Sequence, residues 1–307
     1  MKSNLKKISG VYHDADEYAK NVHQGKLEHY SLEPGKFYGE LTEIISNKMI
    51  IGIHKMNLAV LQQGTGLRGV TTFLIPGNIE QDFTWRHHRI SGIRIGLLKS
   101  RMAHFAVMPH NFFGTPISIY NNYFNELIFK LNYDKNFFKV IQEKEVLEIN
   151  KDDAIEIQKM VIELCNSSKI DQDVLNIELP VMILKALFRM LNDLPQQISN
   201  SREAWVSMAL EYINKNLDKS LKTSDICDHV KTNERNLRYG FKELVGISPK
   251  KFIKNLKLNK ARKDIKLANK NAEINIIANR WGFGHSGQFA ADYKRLFGEL
   301  PSESFGR

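Results

Sequence analysis

The chain has 307 residues, of which 42% are apolar, 10% aromatic and 25% charged, and only two are cysteine. That composition supports folded cores and excludes disordered, collagen-like and disulfide-stapled classes. Forty-four Lys and Arg against 34 Asp and Glu leave a net charge of +10, which suits a polyanionic partner.

At about 150 residues per domain, the length predicts two domains. The opening MKSNLKKISG is basic but leads into VYHDADEYAK rather than an apolar run, so no secretory signal is expected. No apolar stretch approaches the roughly 18 residues of a membrane span. Cys165 and Cys227 are expected as reduced thiols, and the chain as cytoplasmic and membrane-free.

In chain order, residues 25–120 read as β-rich. Short apolar or alternating runs (FYGELTEIIS, MIIGIHKMNLAVL, VTTFLI, ISGIRIGLL, AHFAVM) are separated by turn signals such as Pro34-Gly35, Pro76-Gly77 and Pro109. Many short strands at this spacing predict a sandwich or barrel. From about 121 the period changes. NNYFNELIFKL, DDAIEIQKMVIELC and LPVMILKALFRML carry apolar residues three and four apart, which predicts helices to 192. A Met and aromatic stripe, Met182, Leu187, Phe188 and Met190, reads as helix core or a dimer seam. Residues 193–200, with Pro195, read as a linker, and 201–307 as a wholly helical domain.

The charge is uneven. Residues 200–307 hold 21 basic and 12 acidic side chains, whereas 1–199 hold 23 and 22. Asn200 and Glu203 resemble a capping box opening a helix that buries Trp205, Met208, Ala209, Tyr212 and Ile213. A short helix, SDICDHV, then meets a tight turn, Lys231-Thr232-Asn233, with Asn233 as N-cap. The following helix, ERNLRYGFKEL, sets Leu237, Phe241 and Leu244 against a face of Arg235, Asn236, Arg238, Tyr239 and Lys242. An apolar stripe opposed by donors and an aromatic suits a helix lying in a major groove.

Ser248-Pro249 caps a long helix to about Ala268, whose charged face is Lys250, Lys251, Lys254, Lys257, Lys260, Arg262, Lys263 and Lys266 against Asp264. A second unit follows: Ile274 to Trp281, the turn Gly282-Phe283-Gly284, and HSGQFAADYKRLF with Phe289, Tyr293, Leu296 and Phe297 inward. The two units form an internal repeat. An offset of 52 pairs Leu237 with Phe289, Phe241 with Tyr293, Gly246 with Gly298 and Pro249 with Pro301. Before the turn the offset is 51 and pairs Cys227 with Ala278, both small enough for a close helix crossing.

The segments SDICDHVKTNERNLRYGFKELVGISPKKFI, LKLNKARKDI and INIIANRWGFGHSGQFAADYKRLFGELP resemble, in that order, the C-terminal domain of the AraC/XylS-type transcription regulators. The ending WGFGHSGQFAADYKRLFGELPS is closest to a subgroup that includes ethanolamine-utilisation regulators. The resemblance implies an α+β chain: a cupin-like β-barrel or sandwich with following helices over 1–192, as sensor and dimerisation domain, then two helix-turn-helix units joined by one helix. It implies sequence-specific, non-enzymatic binding of double-stranded DNA, a homodimer, a small-molecule effector and contact with RNA polymerase. No cofactor or metal is implied, and activation and repression stay open. Carried over by position, bases are read from Arg235, Arg238 and Tyr239 in the first unit, with Asn236 and Lys242 also on its DNA-binding face. The second uses Ser286, Gly287, Gln288, Ala290 and Ala291. Family members often carry long polar side chains where this chain has Gly287, Ala290 and Ala291. The first unit is therefore expected to supply most base discrimination, and the second to hold phosphates through Lys294 and backbone N–H groups. Neutralising about 6 to 10 phosphates predicts a loss of 10³ to 10⁵ in affinity between about 50 and 200 mM salt.

Other motifs carry less. Gly64-Thr65-Gly66-Leu67-Arg68-Gly69 fits G-x-G-x-x-G, but a strand pattern follows where a dinucleotide site needs a helix, so it reads as a hairpin loop. His87-His88 invites a metal, with His54, His104 and His110 as conceivable partners, but nothing in the spacing requires one. Arg86, Arg89 and Arg94 near Trp85 could receive an acidic effector, but exposed arginines need no such purpose. Two competing functions remain at this stage. One is a cupin-type metal enzyme with a basic DNA-recruiting tail; the other is non-specific nucleoid packaging.

Overall fold

A computed structural model describes residues 5–77, 82–86, 88–90, 94–133, 136–192, 201–269 and 272–305. The chain divides into two compact units. One is Met1–His29, Tyr38–Asn57 and Gln62–Gln197; the other is Tyr30–Phe37, Leu58–Leu61 and Ile198–Arg307. The expected linker, 193–200, lies outside the described residues, as do His87 and Asn200.

The first part of the chain runs β1 (Lys6–Tyr12), α1 (Ala15–Asn21), β2 (Gly25–Ser31), β3 (Gly39–Ile45), β4 (Met49–Met56), β5 (Val60–Gly66), β6 (Val70–Pro76), β7 (Phe83–Trp85), β8 (His88–Ile90), β9 (Arg94–Leu98), β10 (Ala103–Met108) and β11 (Phe112–Tyr120). It continues with α2 (Asn121–Lys130), α3 (Asn136–Glu143), β12 (Val146–Glu148), α4 (Lys151–Asn166) and α5 (Leu179–Asn192). A seven-stranded sheet is ordered β1-β3-β4-β11-β6-β9-β12, and a five-stranded sheet β2-β5-β10-β7-β8. The larger sheet is antiparallel throughout, and neither sheet closes on itself.

Alternation along the larger sheet makes its two faces different. Ile44, Met49, Ile51, Phe73, Ile75, Ile95, Leu97, Ile117 and Ile119 point to one side and pack on Phe124, Ile141, Ile157, Val161, Leu184 and Leu187 of the helices. Leu187, Met190 and Met182 of the expected stripe belong to this core, while Phe188 stacks on Tyr133 at 4.6 Å. The opposite face turns toward the smaller sheet. There Phe83 meets Phe112 edge-on at 6.1 Å, and Trp85 donates its Nε1–H to the Leu97 carbonyl at 3.1 Å.

Several expectations need correction. The glycines at 64–69 do not join paired strands. They carry the chain from the smaller sheet to the larger, and Gly64 is required because a Cβ there would sit 1.9 Å from the Lys26 carbonyl oxygen. Arg86, Arg89 and Arg94 have carboxylate partners within the fold. They pair with Glu145, Asp82 and Glu148. β11 went unrecognised because Pro116 lies in it. The ladder to β4 skips Thr115 and Pro116, while the β6 side pairs Pro116 with Leu74.

The C-terminal helices are α6 (Ser201–Lys215), α7 (Thr223–Val230), α8 (Glu234–Leu244), α9 (Pro249–Leu267), α10 (Ile274–Arg280) and α11 (Ser286–Phe297), followed by a 3₁₀ turn, Pro301–Ser304. Val206, Ala209, Leu210, Ile213, Ile226, Cys227, Val230, Leu237 and Phe241 are buried in the first half. Leu258, Ala261, Ile265, Ile277, Ala278, Phe289, Tyr293, Leu296 and Phe297 form the core of the second. Met208, expected inward, is exposed, and Tyr212 is half-buried, stacked on His229 at 4.2 Å. Within this unit Asn255 donates to the Leu32 carbonyl at 2.8 Å, and Asn259 exchanges bonds with the Ser31 backbone at 3.0 and 3.1 Å. No helix among the described residues is long and apolar enough to cross a membrane.

Candidate nucleic-acid interface

Each half of the repeat builds an outward face by the same local chemistry. In the first, α7 ends on Lys231, whose backbone is left-handed (φ 54°). Asn233 then accepts from the Asn236 N–H at 2.8 Å, satisfying one of the donors left open at the start of α8. Leu237, Phe241 and Leu244 are buried, which turns Arg235, Asn236, Arg238, Tyr239 and Lys242 outward. Tyr239 is 58% exposed, and the Arg235 guanidinium carbon lies 5.8 Å from its ring centroid. Gly240 lets α8 approach α6 closely, because a Cβ there would lie 2.4 Å from the Trp205 ring tip and 2.7 Å from Val206. The expected first reading face is thus brought together intact.

In the second half, Gly282 makes the turn at φ 82°, and the backbone of His285 leads into α11. Phe289, Tyr293, Leu296 and Phe297 are buried, while Ser286, Gly287, Gln288, Ala291 and Lys294 are exposed and Ala290 is half-buried. Gly246 and Gly298, one repeat apart, both adopt left-handed backbone at 80° and 74°, so the two units end alike. Cys227 and Ala278 are both buried, as a close crossing in each unit requires. Ile276, on the outer side of α10, is 61% exposed.

Asp292 lies on the buried side of α11 and was not expected at this face. It accepts from Gln288 Nε2 at 3.0 Å, from Lys254 Nζ of α9 at 2.9 Å and from Arg295 at 3.4 Å. Burial works against its charge. The Gln288 and Lys254 hydrogen bonds and the nearby cations outweigh that and hold its carboxyl below the ordinary range. The four-residue spacing of Gln288 and Asp292 is visible in the sequence. The partnership with Lys254 leaves no such signal.

The basic face expected on α9 is largely engaged inside the unit. Lys254 holds Asp292, Arg262 pairs with Glu299 at 3.0 Å, and Lys257 donates to the Lys219 carbonyl at 3.1 Å. Lys260 lies 5.0 Å from the Tyr30 ring centroid. Asp264 accepts from Trp281 Nε1 at 2.9 Å, fastening α9 to α10. Lys250 and Lys251, at the start of α9, are exposed.

The histidines weighed for a metal lie in different settings. His110 is exposed, and His88 pairs with Glu145 at 3.2 Å. His54 is buried and bonds Glu43 at 3.1 Å. His104 is buried near Gln62 at 3.5 Å, and His29 is fully buried with neither ring nitrogen hydrogen-bonded. Burial, reinforced by His54 and His104, pushes His29 down to about 3; burial and Arg86 do the same to His104. Among the described residues, no group of three or more His, Cys, Asp or Glu side chains is placed to hold a metal ion.

Two helix-turn-helix units on one connecting helix define the class of module that presents paired helices to duplex DNA. Residues 226–307 match the family described as a helix-turn-helix domain, and this part of the chain is of the AraC/XylS type. The chain is 36% identical over 99 residues to the "Probable thc operon regulatory protein" of Rhodococcus erythropolis, covering 32% of this chain and 30% of that protein. It is 28% identical over 130 residues to XylDLEGF operon transcriptional activator 1 of Pseudomonas putida, covering 41% and 39%. A solved AraC-type DNA-binding regulator from Chromobacterium violaceum is 27% identical, with 33% of this chain and 89% of that chain covered and a TM-score of 0.31. The chain therefore matches well under half the length of these two curated relatives.

Proposed function

We propose that the protein is a sequence-specific, DNA-binding transcription regulator. The observation that carries this reading is the pair of outward helix faces, on α8 and α11, raised by two repeated units of AraC type. In this reading 201–307 is the DNA-binding domain. Arg235, Asn236, Arg238, Tyr239, Lys242, Ser286, Gly287, Gln288 and Lys294 meet the duplex. The two helices enter successive major grooves about 34 Å apart. Residues 1–192 form a cupin-like sensing and dimerisation domain, and 193–200 a linker. Two stacked sheets with a helical layer support that assignment, as do the buried polar side chains between the sheets. The regulator acts in the cytoplasm as a homodimer, answers to a small molecule and contacts RNA polymerase. The Pseudomonas relative's description as an activator favours activation. An effector can switch it only by binding one of its conformations better than another.

The test is selection of bound fragments from genomic DNA at near-physiological salt. Strong enrichment of a few fragments sharing a common sequence is the expected result. Recovery in simple proportion to fragment length would refute specific regulation and leave packaging. Turnover by metal-loaded protein with no sequence selection would instead favour the enzyme.

A further inference from the structure

We propose that Asp292 is a positioning residue that orients the Gln288 amide to read adenine in the major groove. This rests on the DNA-binding reading above, and it gives the second unit a direct base contact beyond phosphate anchorage.

Gln288 is exposed on the first turn of α11, whereas Asp292, one turn later, is only 6% exposed. Its two oxygens have different duties. Oδ1 faces Lys254 at 2.9 Å and Arg295 at 3.4 Å, and Oδ2 accepts from Gln288 Nε2 at 3.0 Å. An ionised carboxylate only accepts hydrogen bonds, and the two cations with the Gln288 bond keep Asp292 ionised. Gln288 must therefore turn its nitrogen, not its oxygen, toward Asp292. That settles which way the amide faces.

An amide nitrogen carries two hydrogens. With one given to Asp292, the other lies beside Oε1 on the outward edge. A donor next to an acceptor complements adenine, whose N7 accepts and whose N6 amino group donates. Guanine presents two acceptors in that groove and cannot receive Oε1. The neighbours of Gln288 add to this. Gly287 and Ala291 present little side chain, so they allow the helix to come close enough for a short amide to reach a base edge. Lys254 reaches Asp292 from α9, so the orienting carboxylate is itself held from a second helix.

The test is selection of bound duplexes from a random library at fixed salt, using the full chain and the variants Q288A, D292N and K254M. The wild-type protein should select adenine at one position in the half of its site covered by α11. Q288A should abolish that preference alone, a change of about 5- to 150-fold in discrimination. D292N should weaken the same preference by about two- to sixfold, because the amide then chooses between two flips and three staggered wells. K254M removes one of the two cations that hold Asp292, so it should weaken the same preference, by less than D292N does, while Arg295 remains. One measurement needs no variant of Asp292. In the wild-type protein, one of the two Gln288 side-chain N–H signals, assigned by its absence in Q288A, should exchange slowly with solvent.

Any base other than adenine at the Q288A-sensitive position overturns the proposal. So does a preference that survives Q288A, or one erased by K254M as fully as by D292N. Rapid exchange of both amide hydrogens overturns the role of Asp292 even if D292N fails to fold. Absence of any sequence preference in the wild-type protein would instead sink the regulator reading itself.

Discussion

The salt dependence of DNA binding distinguishes the charge written in the sequence from the charge the fold leaves for a partner. If every cation of the α9 face, with Arg235, Arg238, Lys242 and Lys294, met a phosphate, about twelve would be neutralised, beyond the roughly 6 to 10 expected from the sequence, with a slope near −11 and a loss of roughly 10⁶ in affinity between about 50 and 200 mM salt. The structure reduces that number. Lys254 and Arg262 are in ion pairs with Asp292 and Glu299, Lys257 is on a backbone carbonyl, and Lys260 sits over Tyr30. Lys263 and Lys266 have interactions of their own. Arg235, Arg238, Lys242, Lys250, Lys251 and Lys294 remain exposed. Six phosphates give a slope of about −5 and a loss near 10³ over the same range. Anisotropy titration of a labelled, selected duplex at several salt concentrations reads the slope directly. The double variant K250Q/K251Q should make it shallower by about two without altering base preference. A wild-type slope near −11, or no change in the double variant, would refute the reasoning.

Arg238→Ala should relax selectivity at one position by about 1–3 kcal/mol, on top of the smaller loss of affinity on every sequence that removing one charge brings, as competition with mismatched duplexes can measure. An equal loss on every sequence would place Arg238 on phosphate. Acid should destabilise the N-terminal unit. The folded-state values of His29 and His104 lie near 3, below an unfolded value of about 6.5, so the unfolded chain binds protons first and stability falls from about pH 6.5 toward 3. Relative to neutral pH, each histidine costs about 2 kcal/mol at pH 5, and H29L should halve the decline seen in denaturant melts. Gly240→Ala sets about 1 kcal/mol of helix propensity against overpacking on Trp205 of about 1–3 kcal/mol. It should destabilise the wild-type chain more than a Trp205→Ala variant, in which the 2.7 Å approach to Val206 remains, a difference that unfolding midpoints would reveal.

The helical third was the most legible part of the chain because its signals are local. Caps at Asn233 and Ser248, the turn at Gly282 and the three- and four-residue spacing of Leu237, Phe241 and Leu244 lie within a turn or two of what they determine. The outward residues followed by exclusion, since a helix with one buried face has only one other. Asp292 shows the limit. A lone acidic residue among apolar ones looks like surface, and of the partners that satisfy it when buried, Lys254 lies 38 residues away. The sheets were less legible because their order is set by distant pairings. Nothing near Gly64 discloses Lys26 pressing against it, and nothing near Arg86 discloses Glu145. β1 was missed because KKISGVY, at a sheet edge, exposes much of its length and lacks a clean alternation.

The two halves of the repeat share a frame but not a vocabulary: arginines and a tyrosine stand on one helix, alanines and a single glutamine on the other. In the proposed reading, a module furnished so unequally meets a lopsided stretch of duplex and, once seated, has a front and a back. The orientation of its site along a chromosome would then dictate which neighbouring gene lies ahead of the bound protein. Under the proposed regulatory reading, inverting a site in place should therefore change the output of the neighbouring gene.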